Sequence, residues 1–284
     1  MSQTNHLSSI FLSVVVLLFV ESNVSVSAIS VEKYLTLTLS QKTALDEFRH
    51  RVEPMLKDNY MKQDAYLIQW LRGARKFDIN AATEMLRMNL KWRKENAIDN
   101  MRNEDWTDML QDFHTTIDTY DRTGRPIAVI DINDWDIRRS VIQGKGKRVM
   151  RYIMSRVENI TGQAYERQEK GMNVTQVVVL ANAEGFNVIQ HACPLCLPLW
   201  IQFIQYIESY YPEALDELII INAPPTIQVV LEAIKPFLTK TTSDGIRIFN
   251  PNKAKWMEYL DAKMSREERR KPYGGTKPPF DFSR

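Results

Sequence analysis

The stretch "YYPEALDELIIINAPPTIQVVLEAIKPFL", residues 210–238, decides the fold. Leu218-Ile219-Ile220-Ile221 is a short apolar run without alternation, which reads as a strand covered on both faces. Asn222-Ala223-Pro224-Pro225 ends it, because proline fixes φ and donates no N–H to a ladder. Then Ile227, Val230, Leu231, Ile234 and Phe237 recur at helical spacing, and Val229, Ala233 and Leu238 broaden the stripe. Pro236 bounds the helix near its end. By itself the stripe fits a core helix or a helix that touches an apolar ligand, and no catalytic group accompanies it.

The same alternation continues outward. "DRTG" (121–124) is a turn ahead of the alternating strand "RPIAVIDIND". "GKGKRVMRYIMSRVENI" reads as a helix and "VTQVVVLANAEGFNV" as a second buried strand. "LPLWIQFIQYIESYY" places Trp200, Phe203, Ile204, Ile207 and Tyr211 on one helical face, and "GIRIF" is a short strand. Strands alternating with helices predict an α/β layer with a largely parallel sheet. Upstream, "SQKTALDEFRHRVEPMLKD" opens on Ser40 as a cap, with Leu45, Phe48, Val52 and Leu56 inward. A short helix stopping near Gly73 and a long one over "INAATEMLRMNLKWRKENAI" complete a small all-helical lobe. The expected division is a signal peptide over 1–28, a helical lobe over 29–100, an α/β lobe over 101–276 and a tail over 277–284.

Apolar content of 44%, charged content of 25% and a net charge of +2 describe an ordinary folded protein with no electrostatic case for nucleic acid. The basic cluster in "SREERRKPYGG" reads as a solvated helix end. Residues 10–20, "IFLSVVVLLFV", are apolar and free of charge, and Val26 and Ala28 suit a cleavage site after Ala28. The n-region has His6 but no Lys or Arg, and the run is short of the roughly 20 residues of a membrane span. A cleaved signal is the expectation, with an uncleaved anchor or an N-terminus without targeting meaning as alternatives. Sequons at Asn23, Asn159 and Asn173 are compatible with secretion.

The only cysteines, Cys193 and Cys196, form "CPLC" before a helix. Three readings stand: two small buried residues, a structural disulfide, or a redox pair in a secreted thiol enzyme. A metal site is not expected, since only His191 is near. GxGxxG, GxxxxGK[ST], GxSxG and HExxH do not occur, and the four histidines lie in unrelated contexts. No enzymatic activity and no cofactor are therefore expected.

Five segments in order resemble the CRAL-TRIO lipid-binding family, over residues 40–276: "LIQWLRGARKFDINAATEML…KWRK", "DRTGRPIAVIDI", "YYPEALDELIIINAP", "IKPFL" and "PYGGT". The resemblance implies a sheet that floors an apolar cavity, with the helix from Thr226 to Leu238 as a gate formed by Ile227, Val230, Leu231, Ile234 and Phe237. The expected lining is Val177, Val179, Phe203, Ile207, Ile219 and Ile221. It implies a non-enzymatic, monomeric protein that binds one hydrophobic small molecule or phospholipid and touches membranes transiently. A ligand-free adaptor is the remaining alternative.

Headgroup candidates carried over on the resemblance are Arg75, Glu213 and Thr242. The motif around Arg75 has one extra residue, Gly73. The lysine that phosphoinositide-binding members place after the gate aligns with Gly245, so Lys240 or Arg247 would have to replace it. Hydroxyls that a phosphatidylcholine-binding member places on the inner strand are replaced by Val177 and Val179, and the family's DLxG-like segment reads "NAEG". These departures predict a less polar ligand. The signal-like N-terminus predicts a secreted or secretory-pathway protein, a cytoplasmic, membrane-associated one being the alternative.

Overall fold

The computed structural model describes residues 31–281 except Arg75 and Gln111. The signal-like run 10–20, Asn23 and Arg75 lie outside the described residues. Helices α1 (Val31–Leu35), α2 (Leu39–Val52), α3 (Asp64–Gly73) and α4 (Ile79–Glu95) form the N-terminal helical region. Their core joins Tyr34, Leu45, Phe48, Leu67, Trp70 and Leu86. The cap of α2 is Thr38 rather than Ser40: the Thr38 hydroxyl accepts from the Gln41 amide while the Gln41 side chain accepts from the Thr38 amide. A capping box needs a Glu or Gln three residues after the cap, where Thr38 has Gln41 and Ser40 has Thr43.

The chain then runs α5 (Thr107–Leu110), β1 (Thr115–Tyr120), β2 (Pro126–Asp131), α6 (Ile137–Ile142), α7 (Gly146–Glu169) and β3 (Val177–Asn182). It continues through α8 (Val188–His191), α9 (Leu197–Tyr210), β4 (Leu215–Ile221), α10 (Gln228–Ile234), α11 (Lys240–Asp244), β5 (Ile246–Ile248) and α12 (Lys253–Lys263). The sheet order is β1-β2-β3-β4-β5, with β1 antiparallel to β2 and the other pairs parallel. The α/β class with a mainly parallel sheet is as the sequence predicts.

This order assigns the faces. Strands β2 to β5 follow one another without reversal, so crossovers of one hand place their helices on one side. On that side Ala128 and Val177 pack with Ile160 and Ala164 of α7, and Ile220 packs with Ile227, Val230 and Ile234. The chain after β5 returns over the other side. There Ile127, Val129, Val178, Leu180, Ile219 and Ile221 meet Trp256 and Leu260 of α12 and Met264 just after it.

The "SREERRKPYGG" segment is not a solvated helix end. Arg269 is 2% exposed and paired with Asp261, and Arg270 binds both carboxylate oxygens of Asp118 in β1. Arg270 fastens the C-terminal segment to the edge strand, and Arg269 fastens it to α12.

Candidate functional site

The expected lining residues divide between the two faces of the sheet. Register places Val179 beside Leu218, and Leu218 beside Ile246. This row faces the α9 side, and all three residues are only half-buried although β3 and β4 are central strands. Their neighbours in the chain, Val178, Leu180 and Ile219, are 0–1% exposed against α12. Ile219 and Ile221 therefore do not line the same space as Val179. They pack under Trp256, Leu260 and Met264, because side chains alternate along a strand and β4 is apolar in both phases. Leu218 is the residue of β4 that shares the α9 side with Val179. Val177 is on that side too, but buried near α7.

Helix α9 bounds the other wall. Its sequence is strongly apolar, yet none of its residues is fully buried. Phe203 and Ile207 are half-buried, as are Trp200, Ile201 and Ile204. An apolar helix wholly engaged in a close-packed core would hold some residues out of water completely. Leu218 and Ile246 share with Trp200 and Ile204 of α9 the packing around Ile227, Val230 and Ile234, so apolar residues that stay half-buried collect on both the sheet and the helix.

The segment after β4 covers one side of this region. Proline shapes it into a 3-10 turn (Pro225–Ile227), the short α10 and a second 3-10 turn (Lys235–Phe237), rather than one continuous helix. Ile227, Val230 and Ile234 are buried, with Leu231 half-buried, and they pack near Trp200 and Ile204. Phe237 is 38% exposed at the far end of the segment. The segment leaves β4 through Asn222, whose φ of 53° is left-handed. The Asn222 side chain donates to Asn182 Oδ1 at 3.0 Å and accepts from Trp256 Nε1 at 3.0 Å. One anchored residue thus sets where the segment departs.

The expected headgroup corner differs from its sequence picture. Glu213 is half-buried, has φ 57°, and burial pushes its carboxyl above the usual range, against the opposing pull of the Thr241 hydroxyl and of Arg72. Thr242 is half-buried, its hydroxyl 3.0 Å from that of Thr239. Gly245 cannot stand in for a lysine: a Cβ there would lie 2.7 Å from the Asp216 carbonyl oxygen, a backbone atom. Nor does either proposed substitute reach the corner. Arg247 is in register with Ile219, on the α12 side, 3.9 Å from Glu217, and Lys240 is exposed and paired with Asp244.

The residues around Glu213 do work that the sequence did not reveal. Tyr210 stacks on Trp92 of α4 with ring centroids 3.9 Å apart, and its carbonyl accepts from Asn89 at 2.9 Å. The Tyr211 hydroxyl donates to Glu158 at 2.5 Å, and Glu158 takes both Arg93 guanidinium nitrogens at 2.8 Å. Pro212 lies against Gly73, where an added Cβ would sit 2.6 Å from the proline Cβ. Gly73, the extra residue of the first motif, permits this close approach. Tyr-Tyr-Pro is a latch between the helical region and the sheet, beside a cavity of about 240 Å³ lined by Asp58, Tyr60, Arg93, Glu158 and Tyr165 among others. Its signal was the motif itself, whose hydrogen-bond partners lie 53 residues (Glu158) to 121 residues (Asn89) upstream.

Cys193 and Cys196 form a disulfide, the second of the three sequence readings. They are 8% and 0% exposed, in a cluster with Trp135, Val149 and Tyr152. Thiol exchange needs a sulfur open to attack, so this burial favours a structural bond over a redox centre. Among the sequons, Asn159 is half-buried within α7 and accepts from Gln163, whereas Asn173 is exposed. No helix of the described residues is long and apolar enough to cross a membrane.

These features define an α/β protein with a helical N-terminal region, a half-buried apolar α9 beside the sheet and a proline-bounded segment packed between them. The CRAL/TRIO domain model matches residues 110–275, and the chain belongs to that family. The solved structure described as "Crystal structure of Sfh5" is similar in fold, with a TM-score of 0.65 and 14% sequence identity over 87% of this chain and 91% of that one. At the level of the family, the activity is lipid binding and transfer.

Proposed function

We propose that this protein carries one hydrophobic molecule between α9 and the row Val179–Leu218–Ile246, and that the segment from Pro225 to Phe237 is the gate through which the molecule passes at a membrane. The observation that carries this reading is the pairing of a strongly apolar α9 having no buried residue with half-buried residues on central strands. Half-buried apolar surface of this kind gains about 0.8 kcal/mol for each CH₂ that a ligand removes from water. The work is binding and release, with no covalent step, by a monomer that meets the membrane transiently.

The cargo is a low-polarity lipid rather than a phosphoinositide. Gly245 has no room for a lysine, Arg247 is on the far side of the sheet, and Glu213 adds an acid to the headgroup corner. A phosphate taken from water needs a charged donor nearby. The apolar run 10–20 supports residence in the secretory pathway. Native mass spectrometry of protein from a eukaryotic secreting host tests the reading, with an apolar lipid expected at near one per chain. Empty protein that also takes up nothing from a broad lipid panel would refute it, and robust phosphatidylinositol transfer would refute the cargo class.

A further inference from the structure

Leu195, Ile189 and Ile142 are 62%, 73% and 59% exposed, the largest values for big apolar side chains among the described residues except Leu39. They come from separate segments that converge. Cys193 and Cys196 share a buried cluster with Ile137 and Val149, and Val141 and Leu199 pack on it. Ile142 follows Val141 in the chain, and Leu195 stands inside the ring that the disulfide closes. Helix α8, which carries Ile189, contacts α6. Each of the three side chains points away from the packed cluster that its neighbours enter.

The surroundings are basic. Residues 137–147 hold Arg138, Arg139, Lys145 and Lys147 and no acid, and residues 186–199 hold no acid either. Arg139 is paired with Asp112 and lies 3.9 Å from Asp136, and Asp108 faces Lys145, while Arg138, Lys145 and Lys147 are exposed. Arg138 and Ile142 are four apart on α6 and so share a side of it. The patch also adjoins the gate: Phe186, Ala192, Ile227 and Val230 share a cluster, with Val188 packed on it. Val229 of α10 is 38% exposed next to it.

We propose that this tip, the disulfide-closed loop Cys193-Pro194-Leu195-Cys196 with Ile189 and Ile142 and the cations Arg138, Lys145 and Lys147, docks the protein on anionic lipid bilayers. A few apolar side chains inside a basic collar fit insertion between headgroups, where apolar burial and attraction to acidic lipids act together. A protein partner would instead call for a broad surface of some 20–30 residues. The disulfide limits the loop's freedom, so Leu195 has little conformational entropy left to lose on insertion. This inference rests on the carrier reading, because docking here presents the gate to the membrane.

The test is co-sedimentation of the full chain with phosphatidylcholine vesicles, with and without phosphatidylserine, alongside native mass spectrometry for bound lipid. The wild type is expected to prefer the serine-containing vesicles and to release from them as salt rises. Leu195→Asp and Ile189→Asp alter exposed positions, so they fold and keep their cargo. Each is expected to bind vesicles about tenfold more weakly or worse. Charge reversal, Arg138→Glu with Lys147→Glu, is expected to abolish the preference for phosphatidylserine. Tip variants that bind like wild type, or a wild type without affinity for either vesicle, overturn the proposal. Vesicle binding that depends on the tip in a protein that never holds lipid upholds this surface and refutes the carrier reading instead.

Discussion

Leu218 and Ile219 are neighbours in the chain and opposite in expected effect. Leu218 is half-buried on the α9 side, between Val179 and Ile246, whereas Ile219 is fully buried under α12. Leu218→Trp puts an indole where the cargo is proposed to lie. It takes the room of about four methylenes, about 3 kcal/mol of lost acyl burial, or roughly a hundredfold in affinity. Because Leu218 is only half-buried, melting should change little. Ile219→Trp forces the same volume into a packed face at a cost of about 1–3 kcal/mol. At about 2–4 °C per kcal/mol for a domain of this size, it melts several degrees earlier while its cargo space stays intact. Uptake of a fluorescent acyl lipid from vesicles, measured beside thermal unfolding, separates the two. Normal loading of Leu218→Trp, together with lost loading in a normally stable Ile219→Trp, would place the cargo on the α12 side and refute the reasoning.

Val230→Asp places a carboxylate on a 6% exposed position of α10, at an effective cost of several kcal/mol. The short segment should open locally, with faster amide exchange over 227–237 and loss of lipid, and unchanged exchange and loading would show that the segment is not a gate. Glu213 binds its proton more tightly when folded, since burial raises its pKa. Its contribution to stability therefore falls as pH rises from the ordinary glutamate range through the raised value. Glu213→Gln is accordingly expected to raise the melting temperature at about pH 7 and not at about pH 4, and equal shifts at both would count against the assignment. Arg93→Ala leaves Glu158 buried without its bidentate partner, a loss of about 3–5 kcal/mol. Denaturant unfolding should show it, and a change within error would mean that water replaces the guanidinium.

The layer order was legible because the central strands β3 and β4 carry apolar runs, Val177–Ala181 and Leu218–Ile221, and helices of 3.6-residue period separate the strands. Strand β1 was not. Thr-Thr-Ile-Asp-Thr-Tyr carries little apolar signal, and it holds its place as an edge strand through its ladder to β2 and the cations of the C-terminal segment. Those cations misled for the same reason. A basic cluster with a turn after it reads as solvated until its acids, Asp118 and Asp261, are brought to it from elsewhere in the chain.

The site was legible in its elements and illegible in its phase. Periodicity identifies a helix face, and α9 and the α10 stripe were found in that way. A run apolar in both phases, such as Leu218–Ile221 in β4, offers no such mark. Which residues face α9 depends on register with β3 and on what returns over the far side. That return is α12, whose residues Trp256 and Leu260, with Met264 at its end cap, claim Ile219 and Ile221. The headgroup corner has the same logic. Arg247 lies two residues beyond Gly245, and only its pairing beside Ile219 shows that the guanidinium belongs to the opposite face. A cation's proximity in sequence therefore carried no information about its reach. What remains at that corner is a half-buried acid, two threonine hydroxyls and the Tyr-Tyr-Pro latch, an arrangement that holds the helical region to the sheet and offers a phosphate little.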